Sequence, residues 1–313
     1  MIEVEGLTKY FGDFAAIEDV SFRVNKGEIL GFLGPNGAGK TTTMRILTGF
    51  TPPSSGTARI AGYDIQMQSL EARRHIGYMP EICPLYTDVT VTDYLSFMGS
   101  LRGMDKKRIQ KRIGDVIGLC RLEEYRDTLI GKLSKGYRQR VGVAQSVLHE
   151  PDVLILDEPT IGIDPRQVAE TRSLIKNLAG AHTVFISSHI LPEVSQICER
   201  VVIINEGRIA AEDRPENLST RLRGADRIQV DVKGPTQQVA AKLRQVKGVK
   251  EVVIALPGER PRYYVDCIPG NDCRADLAKV VVNNGWELQG LQTVGMSLEE
   301  IFLRLTSEEE VPA

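Results

Sequence analysis

The spacing of apolar residues changes character along the chain. From residue 2 to about residue 30 they alternate in short runs, the period-two pattern of antiparallel strands. Three short segments, Glu28 to Leu33, Val153 to Leu156 and Thr183 to Ile186, are almost wholly apolar. Such strands have no polar face and predict a sheet covered on both sides, as parallel sheets are. Helical spacing is present over Thr42–Leu47 and dominates from about Thr90 to Leu148, with helices expected at Thr92–Arg102, Lys106–Leu119 and Tyr137–Leu148. The α/β layer is expected to begin at the turn after Leu33 and to resume near residue 150.

Past about residue 220 the pattern restarts. Strands are expected at Arg227–Val232, Val249–Ala255, Arg262–Ile268 and Trp286–Val294, with helices at Pro235–Val246 and Cys273–Asn284. The order β-α-β-β-α-β predicts a small ferredoxin-like α+β sandwich, with Trp286 as core packing. A last helix is expected at Ser297–Leu305, ahead of a frayed acidic tail at Glu308–Glu310. The fold class expected is α/β over residues 1–220, with an antiparallel β part and a helical subdomain at about 90–148. An accessory α+β domain is expected over 221–313.

Composition narrows the class. With 39 basic and 41 acidic residues the net charge is −2, which lacks the basic footprint of a nucleic-acid binder. No apolar run reaches the roughly 18 residues of a transmembrane helix, and the opening MIEVEGLTKY has no signal-peptide pattern. The five cysteines, at 83, 120, 198, 267 and 273, are odd in number and without metal-site spacing, which fits a reducing cytosol.

Gly34, Pro35, Asn36, Gly37, Ala38, Gly39, Lys40 and Thr41 satisfy G-x-x-x-x-G-K-[ST], and a second threonine, Thr42, follows. The motif sits between a predicted strand and a predicted helix, the context a phosphate-binding loop requires. Its glycines let the backbone approach phosphate oxygens and turn N–H groups toward them. Lys40 is positioned to neutralise the β- and γ-phosphates, and the Thr41 hydroxyl to sit on Mg²⁺. Asp157 and Glu158 end a buried strand at its carboxyl end, where α/β sheets bind ligands. A carboxylate at Asp157 suits a Mg²⁺ shell, and one at Glu158 can polarise an attacking water. Leu133 to Arg140 reads LSKGYRQR, a capped helix start and therefore an anion-favouring site.

Taken in order, GPNGAGKTT, LSKGYRQR, LILDEPT, Gly162-Ile-Asp164 and Ser188-His189 resemble the ATP-binding subunit of an ABC transporter, over roughly residues 2 to 220. The resemblance implies a P-loop NTPase core and a head-to-tail dimer with a second copy, or with a paralogous ATPase subunit. Each ATP is then held between one chain's P-loop and the other's Ser134 and Gly136, with Asp164 crossing the interface. It implies that Phe11 stacks on adenine, with Tyr10 as the alternative if the register differs by one. It also implies that His189 contacts the γ-phosphate beside Glu158, and that Glu81, where glutamine is usual, senses Mg²⁺. Lys135 and Tyr137 depart from the commoner LSGGQ signature. Both they and Glu81 are similar to ATPases of ABC-2-type exporters, including gliding-motility-type subunits. The implied partners are integral-membrane permease subunits, with the chain cytoplasmic and peripheral on the inner face of the cell membrane. The helical subdomain and the loop from Ile82 to Asp88 would meet the permease. Two other readings stand beside this one: a soluble ABC ATPase acting on a ribosome or nucleic-acid complex, and a low-turnover nucleotide-dependent regulatory module.

Overall fold

The structure, a computed structural model, describes residues 1–217, 227–256, 261–268 and 271–293. The helix expected at 297–305 and the tail at 308–310 lie outside the described residues. The chain divides between Arg214 and Pro215 into two compact units.

In the first unit the elements run β1 (Ile2–Phe11), β2 (Phe14–Val24), β3 (Ile29–Leu33), α1 (Lys40–Leu47), β4 (Ser55–Ile60), β5 (Tyr63–Asp64), α2 (Ser69–Arg74) and β6 (Ile76–Met79). They continue with α3 (Val91–Leu101), α4 (Lys106–Leu119), α5 (Lys135–Val147), β7 (Val153–Leu156), α6 (Pro165–Leu178), β8 (Thr183–Ser188), α7 (Leu191–Val194), β9 (Arg200–Asn205) and β10 (Arg208–Asp213). One sheet is antiparallel, in the order β2-β1-β4-β5. The other has the order β10-β9-β3-β8-β7-β6 and is parallel except for the edge strand β10. Every residue of β3, β7 and β8 is buried, as their apolar runs require, and in β8 the burial extends to Ser187 and Ser188.

The α/β layer resumes earlier than the sequence reading placed it. β6 pairs with β7 in the parallel sheet, so the layer takes in residues 76–79 as well as those after 150. Four residues, one of them Gly77, are too short a run to register as a strand by periodicity. The two sheets are joined by aromatic packing. Phe22 of β2 lies 5.5 Å from Phe32 of β3 and 5.3 Å from Phe185 of β8, ring centre to ring centre. These rings, with Ile17, Val20, Leu30 and Val202, fill one continuous core.

Helix starts are set by caps, and this moves two boundaries. Thr90 accepts from the Asp93 N–H and Asp105 from the Arg108 N–H, so α3 begins one residue before the expected Thr92. Ser134 accepts from the Tyr137 N–H at 3.4 Å, which starts α5 at Lys135 instead of Tyr137. Asp164 accepts from the Arg166 and Gln167 N–H groups at 3.1 Å, with Pro165 opening α6. Such caps satisfy N–H groups that the first helical turn leaves unpaired. Where α5 crosses the sheet it lies directly on Gly77: a Cβ there would collide with the Ser146 carbonyl oxygen.

The second unit runs β11 (Arg227–Lys233), α8 (Thr236–Arg244), β12 (Val249–Leu256), β13 (Arg262–Cys267), α9 (Arg274–Asn283) and β14 (Glu287–Thr293). This is the β-α-β-β-α-β order read from the sequence. Its sheet is antiparallel, in the order β12-β13-β11-β14. Ile228, Val230, Val232, Tyr263 and Val265 pack with Val239, Leu243, Leu277 and Val281 of the helices, and Trp286 packs against that core.

Candidate nucleotide site

The loop after β3 turns sharply into α1. Gly39, the residue before the helix, has φ 105°, and a Cβ there would lie 2.6 Å from Ile17 and 2.7 Å from the Ala16 carbonyl oxygen. Only glycine fits both the conformation and the space. Lys40 follows, almost fully buried, with Nζ donating to the carbonyl oxygens of Gly34 (2.7 Å) and Pro35 (3.1 Å). Its Nζ also lies 3.5 Å from Glu158 Oε1. Ala38 is buried beneath the loop.

The acidic pair stands at the end of β7. Asp157 is fully buried; its Oδ1 accepts from the Ser187 hydroxyl at 2.6 Å, and its Oδ2 has no hydrogen-bond partner. Burial raises the Asp157 pKa above its ordinary value, against the opposing pull of the Ser187 and Thr41 hydroxyls. Glu158 has a φ of 48°, in the left-handed region that a non-glycine residue rarely takes. Its N–H donates to Ser187 Oγ at 2.9 Å. Its Oε2 is 2.9 Å from His189 Nδ1, which puts the ring proton on Nδ1.

A cavity of about 470 Å³ opens over these groups, lined by Phe11, Phe14, Ala16, Asn36, Gly37, Gly39, Lys40, Thr41, Thr42, Glu81, Glu158 and Ile161. Most of the residues singled out from the sequence for one chain's half-site are thus brought together. Phe11 is in the lining and Tyr10 is not; the Phe11 ring is half-exposed, with Lys9 Nζ 5.2 Å from its centre. Ser134, Gly136 and Asp164 do not line this cavity. Ser134 is an exposed cap, and Gly136 is buried against the Gln167 side chain. Two neighbours went unread in the sequence. Phe14 pairs with Phe11 across the β1–β2 turn. Ser187 precedes the Ser188-His189 pair and had no feature of its own to mark it.

The Asp157 Oδ2 atom is a buried acceptor without a donor, which is a poor end state for a carboxylate unless a cation takes it. Thr41 lies beside it, and Glu81 lines the same cavity. Among the described residues no three His, Cys, Asp or Glu side chains converge as a self-sufficient metal cage. Few oxygen donors beside a phosphate loop fit Mg²⁺, which keeps waters and takes phosphate oxygens as ligands.

A phosphate loop entering a helix, and a buried acidic pair at the carboxyl end of another strand of the same parallel sheet, define a P-loop nucleoside triphosphatase. The ABC transporter family matches residues 17–161. The Nod factor export ATP-binding protein I of Burkholderia lata is 34% identical over 312 residues, covering 98% of this chain and 97% of its own. The linearmycin resistance ATP-binding protein LnrL of Bacillus subtilis is 33% identical, covering 81% of this chain and 82% of its own. A dimeric ATP-binding cassette solved in a post-hydrolysis state with ADP and Pi is 23% identical, with a TM-score of 0.63 over 68% of this chain and 98% of that one. That likeness carries the fold. The chain belongs to the ABC transporter ATP-binding family, whose cassettes bind and hydrolyse ATP. Among the described residues no helix is long and apolar enough to cross a membrane.

Proposed function

We propose that two copies of this chain close head-to-tail around two ATP molecules and power export through a separate ABC-2-type permease, at the inner face of the membrane. One observation carries the reading. The cavity holds P-loop residues, Phe11 and Glu158 but lacks Ser134, Gly136 and Asp164, which supports a site that a second chain's signature helix completes. The Nod factor export relative supports export as the work performed.

In this reading Phe11 offers its face to adenine. Loop N–H groups and Lys40 take the phosphates, and the partner chain's α5 start supplies further N–H groups to the γ-phosphate. Thr41, Asp157 and Glu81 would hold Mg²⁺, directly or through water; when bound, the ion neutralises charge that builds on the phosphoryl oxygens. Glu158 accepts the proton of the attacking water, with His189 keeping its carboxylate oriented.

The test is ATPase activity of the purified chain, alone and with candidate permeases in lipid. Stimulation by a permease supports the reading. Stimulation only by ribosomes or nucleic acid would replace it with the soluble-ATPase alternative.

A further inference from the structure

We propose that Ser187 is a positioning residue that makes the metal-ligand aspartate and the general-base glutamate one mechanical unit. This rests on the roles proposed above for Asp157 and Glu158.

Ser187 is the fifth residue of β8, fully buried, on the strand next to β7. Its single hydroxyl makes two bonds to consecutive residues of the neighbouring strand end. The O–H donates to Asp157 Oδ1 at 2.6 Å, and the same oxygen accepts the Glu158 N–H at 2.9 Å. The first bond occupies one carboxylate oxygen of Asp157 and leaves Oδ2 as the one without a partner. The second holds the backbone of Glu158 at φ 48°, a strained conformation that persists only when its surroundings impose it. From that backbone the Glu158 side chain reaches Lys40 on one oxygen and His189 on the other. A hydroxyl is required: alanine or valine at this place satisfies neither atom, and both are buried.

Turning Asp157 Oδ2 toward a cation and aiming Glu158 at a water are therefore not independent events, because one hydroxyl fixes both. Ser188, the next residue, ties the other side: its carbonyl oxygen accepts the Gly34 N–H at 3.4 Å, where the P-loop begins. Two consecutive serines of β8 thus brace the acidic pair and the phosphate loop.

The experiment compares Ser187→Ala, Ser187→Thr and Glu158→Gln with wild type. Steady-state hydrolysis is the first readout. The second is Mg²⁺-dependent dimerisation with ATP, measured by light scattering in a Glu158→Gln background where turnover does not intervene. We expect Ser187→Ala to lower kcat on the order of tenfold with KM for ATP within about twofold. It should also raise the Mg²⁺ concentration needed for half-maximal dimerisation several-fold, and Ser187→Thr, which keeps the hydroxyl, should restore both. Wild-type kcat and Mg²⁺ requirement in Ser187→Ala, with Glu158→Gln inactive, would overturn the inference and leave the base assignment standing. Normal hydrolysis in Glu158→Gln would instead remove the reading beneath it. A Ser187→Ala chain that loses ATP affinity and melting temperature together, unrescued by threonine, would mark the serine as structural only.

Discussion

Lys40 Nζ and Glu158 Oε1 lie 3.5 Å apart, and both side chains are almost wholly shielded from solvent. The same ammonium donates to the Gly34 and Pro35 carbonyl oxygens. In the proposed reading this ammonium serves the phosphates and Glu158 serves the attacking water, so the two roles separate. Glu158→Gln should therefore keep ATP binding while lowering turnover by about 10²- to 10⁴-fold, leaving an ATP-bound dimer visible by size exclusion. Phosphate release within threefold of wild type would refute the base assignment.

The aromatic at the mouth of the cavity gives a sharper comparison. Phe11 lines it and Tyr10, its neighbour on the strand, does not. If Phe11 stacks on the base, Phe11→Ala should raise KM for ATP about three- to tenfold, the scale of one lost aromatic contact. Tyr10→Ala should leave it within twofold. The reverse order would shift the stacking position by one residue.

What could be read in advance follows from how local each feature is. The P-loop, the acidic pair and the signature are each contiguous, so residue types at fixed spacing carry them, and the cavity takes its P-loop residues and Glu158 from the first two. The buried strands β3, β7 and β8 were legible because an apolar run has few alternatives. Ser187 was not, because its meaning lies in Asp157 and Glu158, 30 and 29 residues away on another strand. β6 escaped because its place depends on pairing with β7, and the Phe22–Phe32–Phe185 cluster joins three strands that no period links. Ser134 and Gly136 are a different case. The role proposed for them needs a second chain, so a single chain displays only a cap and a buried glycine.

Stability should carry a pH signature from His149. Its Nε2 donates to the Ile76 carbonyl oxygen at 3.0 Å, and its Nδ1 is buried without a partner. Burial, with Arg102, Arg108 and His182 nearby, lowers its pKa to about 4 from the ordinary 6.5. The unfolded chain therefore takes the proton first. The contribution is fully present above about pH 6.5 and is lost as pH falls toward about 4, amounting to about 3 kcal/mol at most. Urea melts of wild type and His149→Gln between pH 7 and 4 check this. The variant should be less stable at pH 7 and show a flatter decline. Parallel declines would mean that another group carries the acid sensitivity.

At Gly77 the helix behind the signature, α5, lies directly against the sheet. A Cβ there would meet the Ser146 carbonyl oxygen, with Leu154 at 2.8 Å and Pro151 at 2.9 Å. Backbone cannot swing aside as a side chain can, so α5 itself must shift. Gly77→Ala should cost about 1–3 kcal/mol in stability. It should also lower ATPase activity by more than the unfolded fraction explains, because the signature moves with its helix. Gln145, which donates to the Tyr78 carbonyl oxygen at 2.7 Å, gives a control on the same helix. Gln145→Leu removes a tether without pushing α5 outward, and should weaken stability with a smaller effect on turnover. Equal activity losses per unit of stability in the two variants would count against displacement of α5.

The helical part presents apolar side chains to solvent where a partner would be useful. Ile82 is 85% exposed and Leu101 65%, and Tyr86 packs edge-on against Tyr94 at 5.9 Å and against Phe97 at 5.7 Å. Scattered exposed apolar residues need no explanation, but Tyr86 and Phe97, both exposed and in ring contact, fit the permease-facing side that the proposed function requires. Ile82 follows Glu81, so a load applied here lies one residue from the nucleotide cavity. We expect Leu101→Ser and Phe97→Ser to leave the basal ATPase of the isolated chain within twofold. The same variants should reduce stimulation by the cognate permease about tenfold, the scale of one apolar anchor lost from an interface. Stimulation unchanged in the double variant would place the permease contact elsewhere on the chain, and a fall in basal rate equal to the fall in stimulated rate would mean that the patch supports the fold of the helical part and not its docking.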